Sequence, residues 1–350
     1  MEFMPDKHND TSANGRQQAP SSAPVLIDVR NLSISFRTSA GLLNIVPDLS
    51  FSISQGERLA VVGESGSGKT VTGLALLGLL PPAHTEIKGE ILLEGRNLVG
   101  LPERELRTLR GRQIGMVFQE PMSALDPVFT IGQQISEGVR QHFKISRQAA
   151  RERAVEMLDK VGIPAARKRL DEYPHQLSGG MRQRAMLAVA LACEPRLLIA
   201  DEPTTALDVT IQAQILDLMG KLSEETHTAI LFISHDLGAV SEVCERMLTM
   251  YAGEMVEDAM IDSVLHRPRH PYTSGLLRSL PRFGRKGEPL PSIGGRVPPP
   301  DAMPAGCRFA DRCPHAIDPC RLPQVLLPVP GGGVVRCHRH DALHLPGSVS

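Results

Sequence analysis

The stretch that decides the fold of this chain is Gly63-Glu64-Ser65-Gly66-Ser67-Gly68-Lys69-Thr70. Its glycines let backbone amides approach a bound anion without a Cβ in the way, and the start of a following helix adds a favourable dipole. An apolar run precedes the stretch at 59–62, and an apolar helical run follows it at 71–80. The pattern predicts a phosphate-binding loop, in which Lys69 reaches the β- and γ-phosphates of ATP and the Thr70 hydroxyl ligates Mg²⁺.

Three further apolar runs end, like the first, in polar groups. Residues 115–118 lead to Gln119, residues 197–200 to Asp201 and Glu202, and residues 229–233 to Ser234 and His235. Continuous apolar runs are typical of central strands in a parallel sheet covered on both faces. Ligands of such sheets bind beyond the carboxyl ends of the strands. We therefore expect an α/β fold in which these polar groups meet the phosphate-binding loop at one site.

The rest of the chain divides by pattern. Residues 26–36 and 49–53 alternate apolar with polar residues, which predicts half-buried antiparallel strands. Ser146 is a candidate N-cap for a helix within a helical region at about 120–180. Fifteen of the 28 prolines lie between Pro268 and Pro346, so a change of domain is expected near Arg267. We predict a disordered leader at 1–24, an ATPase domain at 25–265, and a small irregular C-terminal domain at 266–345, called the tail below.

Composition narrows the class of protein. The chain has 350 residues, 41% of them hydrophobic, and a formal net charge of −1, which gives no overall attraction to nucleic acid. Its apolar stretches fall short of the roughly 18–20 residues needed to span a bilayer. Residues 1–24 lack the apolar core of a signal peptide. We expect a cytosolic protein that reaches a membrane only through partners.

The segment Leu177-Ser178-Gly179-Gly180-Met181-Arg182-Gln183 resembles the signature of ATP-binding-cassette ATPases. The resemblance implies an ATP-binding-cassette core with an antiparallel β subdomain and a helical subdomain. It also implies that Ser178, Gly179 and Gly180 face the γ-phosphate bound by a second cassette subunit, with two chains paired head to tail. Residues 206–208, which include Asp208, resemble the segment that crosses the dimer interface.

The residues at the strand ends take roles within this resemblance. A carboxylate at the end of an apolar strand has no packing value, so Asp201 is expected to hold Mg²⁺, and Glu202 is the candidate general base. By resemblance, His235 is the switch histidine, and Gln119 senses the γ-phosphate and Mg²⁺. Phe36 is the candidate for stacking on adenine, although an inward-facing core phenylalanine would give the same pattern.

Three segments resemble the ATPase subunits of bacterial oligopeptide and dipeptide importers: residues 119–127, His270-Pro271-Tyr272-Thr273, and residues 306–313. The likeness covers about 25–340. It implies two transmembrane permease subunits, an extracytoplasmic peptide-binding protein, and a peripheral location on the cytoplasmic face of the bacterial inner membrane. Nickel, glutathione or another small cargo would use a similar ATPase. A soluble cassette ATPase of translation or DNA repair is the rival class, but this chain has one cassette and lacks long insertions.

Four cysteines lie in the tail: Cys307, Cys313, Cys320 and Cys337. Disulfides are unexpected in a cytosolic protein, and the spacing lacks the short knuckles of structural zinc sites. A four-thiolate set is able to hold an iron–sulfur cluster, and the resemblance to peptide importers implies a [4Fe-4S] cluster here. Zinc, with His338 or His340, and unligated thiols are the alternatives. Cys193 and Cys244 lie in apolar helical contexts and are predicted core residues.

Overall fold

The computed structural model describes residues 23–39, 41–205, 207–280 and 292–347. Within these ranges the strands are β1 (Val25–Thr38), β2 (Gly41–Ser54), β3 (Arg58–Val62), β4 (Thr85–Leu93), β5 (Arg96–Asn97), β6 (Ile114–Val117), β7 (Leu197–Asp201), β8 (Ala229–Ser234), β9 (Arg246–Tyr251), β10 (Glu254–Met260), β11 (Leu327–Pro328) and β12 (Val334–Val335). The helices are α1 (Lys69–Leu76), α2 (Glu103–Leu109), α3 (Pro121–Ala124), α4 (Ile131–His142), α5 (Arg147–Lys160), α6 (Ala166–Arg169), α7 (Gly179–Leu191), α8 (Val209–Thr226), α9 (Leu237–Val243), α10 (Ile261–His266) and α11 (Pro271–Arg278). Most of the predicted leader, residues 1–22, lies outside the described residues.

The main sheet has the strand order β11-β12-β10-β9-β3-β8-β7-β6 over the described residues. Its centre is parallel, because β3 pairs with β8 and β9, and β7 pairs with β8 and β6. Successive side chains of the central strands pack into two different hydrophobic cores, one on each face of the sheet. In β3, for example, Ala60 and Val62 join the core beside the helical region, while Leu59 and Val61 join the core beside α1 and the second sheet. The predicted α/β class is confirmed, and burial on both faces explains the continuous apolar runs.

The second sheet is antiparallel, with the order β2-β1-β4-β5. The prediction of antiparallel strands from the alternating pattern is confirmed, although β2 begins at Gly41, eight residues before the predicted run. The pattern is broken there by Pro47 and by shifts in the pairing of β1 with β2. This sheet packs over α1 in one hydrophobic core, and Val46 of β2 lies against Gly68 of the phosphate-binding loop.

The helical region follows the predicted caps. The Ser146 hydroxyl accepts a hydrogen bond of 3.1 Å from the amide of Ala149 and begins α5, whose Ala150 and Ala154 are buried. Helix α7 starts at Gly179, inside the segment that resembles the cassette signature. The Ser178 hydroxyl caps it by accepting from the Met181 amide at 3.4 Å.

The tail is joined to the main sheet rather than merely packed beside it. Strand β12 pairs antiparallel with β10, with Val335 opposite Glu257, and β11 pairs with β12. Most of 292–347 otherwise consists of turns and short 3₁₀ segments, as predicted from its prolines. Phe309 of the tail is buried against Tyr251 and Tyr272.

Candidate nucleotide site

The predicted phosphate-binding loop connects β3 to α1, and its glycines are required by close contacts. A Cβ on Gly63 would lie 2.2 Å from the carbonyl oxygen of Met250 in β9. Gly68, directly before α1, has a φ of +95°, in the region that favours glycine. A Cβ on Gly66 would meet open space, so this glycine faces the cleft. The backbone of β9 therefore fixes where the loop runs.

The Lys69 ammonium is buried inside the loop. Its Nζ donates to the carbonyl oxygens of Gly63 at 2.8 Å and Glu64 at 2.9 Å, and to the Ser67 hydroxyl at 3.3 Å. Burial lowers the pKa of Lys69, while the charges of Glu202 and Asp201 oppose that shift. A buried cation in a glycine loop at a helix start fits the phosphates of a nucleotide.

Asp201 ends β7 directly beside the loop. The Thr70 hydroxyl donates to its Oδ1 at 3.1 Å, and the side chain is almost fully buried. Burial raises the pKa of Asp201, and the hydrogen bond from Thr70 opposes the shift. A carboxylate and a hydroxyl at this spacing are the oxygen ligands that Mg²⁺ prefers, so the pair fits the predicted ion.

Glu202 follows Asp201 with a φ of +46°, unusual for a residue with a side chain. Its amide donates to the carbonyl of Ile233 in β8 at 2.8 Å. The carboxylate is contacted by three side chains, each at 3.0 Å: Gln119 Nε2 and Thr205 Oγ1 donate to Oε2, and His235 Nδ1 faces Oε1. Thr205 was not among the predicted site residues, because nothing in its local pattern distinguishes it.

One cleft of about 1090 Å³ collects most of the predicted nucleotide residues. Its described lining includes Phe36, Ser65, Gly66, Ser67, Gly68, Lys69, Thr70, Gln119, Glu202 and His235. Gly63 and Asp201 lie behind this lining, hydrogen-bonded to Lys69 and Thr70 respectively. Phe36 is half-buried, so its ring is available to the cleft.

The signature residues lie elsewhere. Of the described residues, those that line the cleft do not include Ser178, Gly179, Gly180 or Asp208. Gly180 packs toward Ile211 of α8, and the Asp208 carboxylate caps α8 by accepting from the Ile211 amide at 3.0 Å. Ala206 of the same predicted segment lies outside the described residues. Within one chain, therefore, the two helix starts form a second surface distinct from the cleft.

Glu64 of the loop binds the tail, which sequence reasoning missed. Both of its carboxylate oxygens accept from the Arg312 guanidinium, at 2.7 and 3.0 Å, and the Arg312 side chain is only 5% exposed. The Glu64 amide donates to the Tyr272 hydroxyl at 2.8 Å. Arg312 also lies over the rings of Tyr251 and Phe309. Tyr272 and Arg312 belong to two of the segments that resemble peptide-importer ATPases, and both contact Glu64 of the phosphate-binding loop. Arg312 lies 248 residues after Glu64 in the sequence.

The four tail cysteines lie in one region. The Cys307 amide donates to the Cys320 carbonyl at 2.8 Å. Burial raises the pKa of Cys307 to about 12 and that of Cys337 to about 11, and in each case the charges of neighbouring tail thiolates add to the shift. Among the described residues, however, no group of three or more His, Cys, Asp or Glu side chains is arranged to hold a metal ion. The donor set fits a metal centre by chemistry, while the side chains do not enclose one.

The two histidines of the zinc alternative make other contacts. His338 Nδ1 lies 2.8 Å from Gln324 Oε1, and His340 Nδ1 lies 3.1 Å from the Cys337 carbonyl oxygen. Cys193 and Cys244 are buried in the core, as predicted.

The sequence matches two family profiles. The one described as ABC transporter matches residues 46–205, and the one described as oligopeptide/dipeptide transporter, C-terminal region, matches residues 256–320. A peptide import ATP-binding protein of Brucella abortus is 49% identical over 312 residues, covering 89% of this chain and 94% of the relative. A peptide ABC transporter ATP-binding protein of Sinorhizobium fredii is 49% identical over 331 residues, covering 93% and 98%.

The fold is similar to that of a solved ATP-binding cassette. The structure of that cassette, a dimer in a post-hydrolysis state bound to ADP and Pi, aligns with a TM-score of 0.60 at 26% identity. The alignment covers 67% of this chain and 98% of that chain.

The ion pair of Glu64 with Arg312 leads to the first prediction. Arg312→Met leaves a carboxylate without its partner beside the phosphate-binding loop, so we expect ATP affinity to fall roughly tenfold and the free energy of unfolding to fall by about 2 kcal/mol. Adding Glu64→Gln removes the unpaired charge and should restore much of the ATP affinity. Isothermal titration calorimetry and thermal melts measure both effects.

The matched control is Arg321→Met, since Arg321 is an exposed arginine of the same tail. ATP affinity that falls equally in both single variants, or that the second substitution does not restore, would contradict the electrostatic role of the pair.

Proposed function

This chain belongs to the ABC transporter family, among the ATP-binding subunits of peptide importers, and we propose that its cleft hydrolyses ATP to drive peptide uptake through a separate permease. The predicted ATP-binding-cassette fold is confirmed by the likeness to a solved cassette. The single observation that carries the proposed chemistry is the Glu202 carboxylate, held by three side chains in the cleft that contains Lys69.

The chemistry begins with the phosphates. Loop amides and the Lys69 ammonium bind and orient the β- and γ-phosphates, and Thr70 with Asp201 would hold Mg²⁺. That ion, when bound, neutralises charge on the phosphate oxygens. Glu202 accepts a proton from the water whose oxygen attacks the γ-phosphorus, while the bond from that phosphorus to the β-phosphate oxygen breaks. Gln119 and His235 position the Glu202 carboxylate and contact the γ-phosphate.

The signature residues act across a dimer in this proposal. Ser178, Gly179 and Gly180 begin α7, a 13-residue helix whose amides and dipole suit an anion. They lie outside the cleft of their own chain, which is what a site completed by a second cassette requires. Asp208 belongs to the same surface. The second cassette is either an identical chain or a paralogue.

The transport partners follow from the family. No helix among the described residues is long and apolar enough to cross a bilayer. One relative is named as a peptide import ATP-binding protein and another as a peptide ABC transporter ATP-binding protein. We propose that two transmembrane permease subunits hold the chain at the cytoplasmic face of the bacterial inner membrane. An extracytoplasmic peptide-binding protein would deliver the cargo. The oligopeptide/dipeptide profile favours peptides over nickel or glutathione and disfavours the translation and repair ATPases.

A metal centre in the tail remains part of the proposal. Cys307, Cys313, Cys320 and Cys337 are brought to one region, and the raised thiol pKa values mean that a bound cation would be needed to keep the thiolates. A [4Fe-4S] cluster is the proposed occupant and zinc the alternative. Either would require the side chains to turn toward one point.

Glu202→Gln tests the proposed base. The amide keeps the size of the side chain but cannot take the proton from water, so we expect turnover to fall by about 10²–10³-fold with ATP binding retained. Phosphate release and ATP binding are measured on the same preparations, with the exposed Glu242→Gln of α9 as the control. If Glu202→Gln hydrolyses ATP at a rate close to that of the wild type, Glu202 is not the general base.

Mixed dimers test the signature. Lys69→Ala and Ser178→Arg chains each form inactive homodimers if both residues serve one composite site. A mixed dimer contains one site with both substitutions and one site with neither, so we expect partial recovery of ATPase activity on mixing. A mixture that stays inactive at every ratio, with mixed dimers verified by differential tags, argues against pairing in trans.

Anaerobic purification tests the tail cysteines. We expect brown protein with broad visible absorption, lost on replacing any one of Cys307, Cys313, Cys320 or Cys337 by Ser and kept in Cys193→Ala and Cys244→Ala. Metal analysis separates the alternatives, since colourless protein with about one zinc per chain supports zinc. Protein with neither metal contradicts a metal centre.

A further inference from the structure

The tail forms part of the wall of the nucleotide cleft, beside the part that the ATP-binding motifs form. Val297, Pro298, Pro299, Pro300 and Met303 line the same cleft as the phosphate-binding loop. The other apolar lining comes mainly from the second sheet, through Phe36, Leu43 and Ile45. We propose that the tail segment 297–303, called the proline strip below, forms with Phe36 the wall that binds the nucleobase. This inference rests on the proposed function, because it assumes that the cleft takes a nucleoside triphosphate.

The chemistry of the strip suits the face of a planar base. Each proline ring fixes φ and has no N–H, so three in succession present a stiff apolar surface that loses little conformational entropy on contact. The strip ends in a 3₁₀ turn, Pro300–Ala302, that packs on β2. Pro299 and Pro300 are exposed within the cleft rather than covered by protein. A base placed between them and Phe36 would bury apolar faces on both sides.

The strip is fixed relative to the phosphate-binding loop. Val297 and Met303 pack on the aromatic cluster of Tyr251, Tyr272 and Phe309. Arg312, which holds Glu64, also donates from Nε to the Gly294 carbonyl at 2.9 Å, three residues before the strip.

Just after the strip, Arg308 holds the turn between β9 and β10. Its guanidinium donates to the Ala252 carbonyl and lies 3.2 Å from the Glu254 carboxylate. The next residue of that turn, Gly253, donates from its amide to the Ser67 carbonyl at 3.1 Å. Arg312 and Tyr272 therefore link the phosphate-binding loop to the segment that carries the strip, which holds the strip at the edge of the cleft.

Loss of a contact with the base should weaken the binding of nucleotides but not the binding of a bare polyphosphate, whereas loss of a phosphate contact should weaken both. The strip touches base faces and contributes no side-chain hydrogen-bond donor, so it favours ATP and GTP alike over a bare polyphosphate. We test this with the full-length variant Pro299→Gly/Pro300→Gly and with three probes: ATP, GTP and inorganic tripolyphosphate, each with Mg²⁺. Pro323→Gly, an exposed tail proline outside the cleft, is the matched control.

We expect the double variant to bind ATP and GTP roughly five- to tenfold more weakly, because apolar contact with two rings is lost, and to bind tripolyphosphate as wild type does. Phe36→Ala should give the same pattern. If ATP affinity is unchanged in the strip variant, or falls together with tripolyphosphate affinity, the proposal is overturned. Wild-type protein that binds tripolyphosphate as tightly as ATP also overturns it but leaves the proposed function standing. Wild-type protein that binds neither contradicts both.

Photolabelling of the wild-type chain with 8-azido-ATP gives an independent measurement. Label in the peptide that contains 297–303 supports the proposal, and label confined to residues around Phe36 contradicts it.

Discussion

The site depends on keeping a lysine charged while it is buried. Desolvation lowers the pKa of Lys69, and the carboxylates of Glu202, Asp201 and Glu64 act in the opposite direction. These carboxylates come from the end of β7 and from the loop itself, so their negative charge surrounds the ammonium where the loop meets the end of that strand. The parallel pairing of β3 with β8 and of β8 with β7 provides that meeting point. The position of the loop against β9, where Gly63 leaves no room for a Cβ, completes it.

Much of this arrangement could be predicted because the signals for it lie within short stretches of the sequence. Continuous apolar runs identify β3, β7 and β8, and each run leads to residues that line the cleft: the phosphate-binding loop, Glu202 and His235. The Ser146 cap was readable for the same reason, since a cap acts within one turn. Phe36 was ambiguous from sequence, because a strand residue facing a core and one facing a cleft have the same neighbours along the chain. In the structure it lines the cleft.

What could not be predicted depends on contacts between distant segments. Nothing near Glu64 indicates that its carboxylate binds an arginine 248 residues later, and nothing near Pro298 indicates that it lines the cleft. Thr205 contacts Glu202 only because the chain turns sharply after β7. The start of β2 was missed because Pro47 interrupts its alternation. For the tail cysteines, the spacing in the sequence does not determine the directions of the side chains. Those directions decide whether the four thiols enclose a metal ion, and among the described residues no group of three or more potential ligands does so.

The tail and the cassette share one sheet and one hydrophobic cluster, so they do not form two structurally independent domains. Strand β12 extends the main sheet, and the aromatic cluster joins Phe309 to Tyr251 and Tyr272. Arg312 sits at the junction, with its guanidinium between the loop carboxylate and the backbone of the tail. Coupling of this kind is reciprocal, because any ligand that is bound more tightly when the junction is intact must also stabilise the junction. A tail grafted from another protein would therefore preserve nucleotide affinity only if it supplied a guanidinium to Glu64 in the place of Arg312.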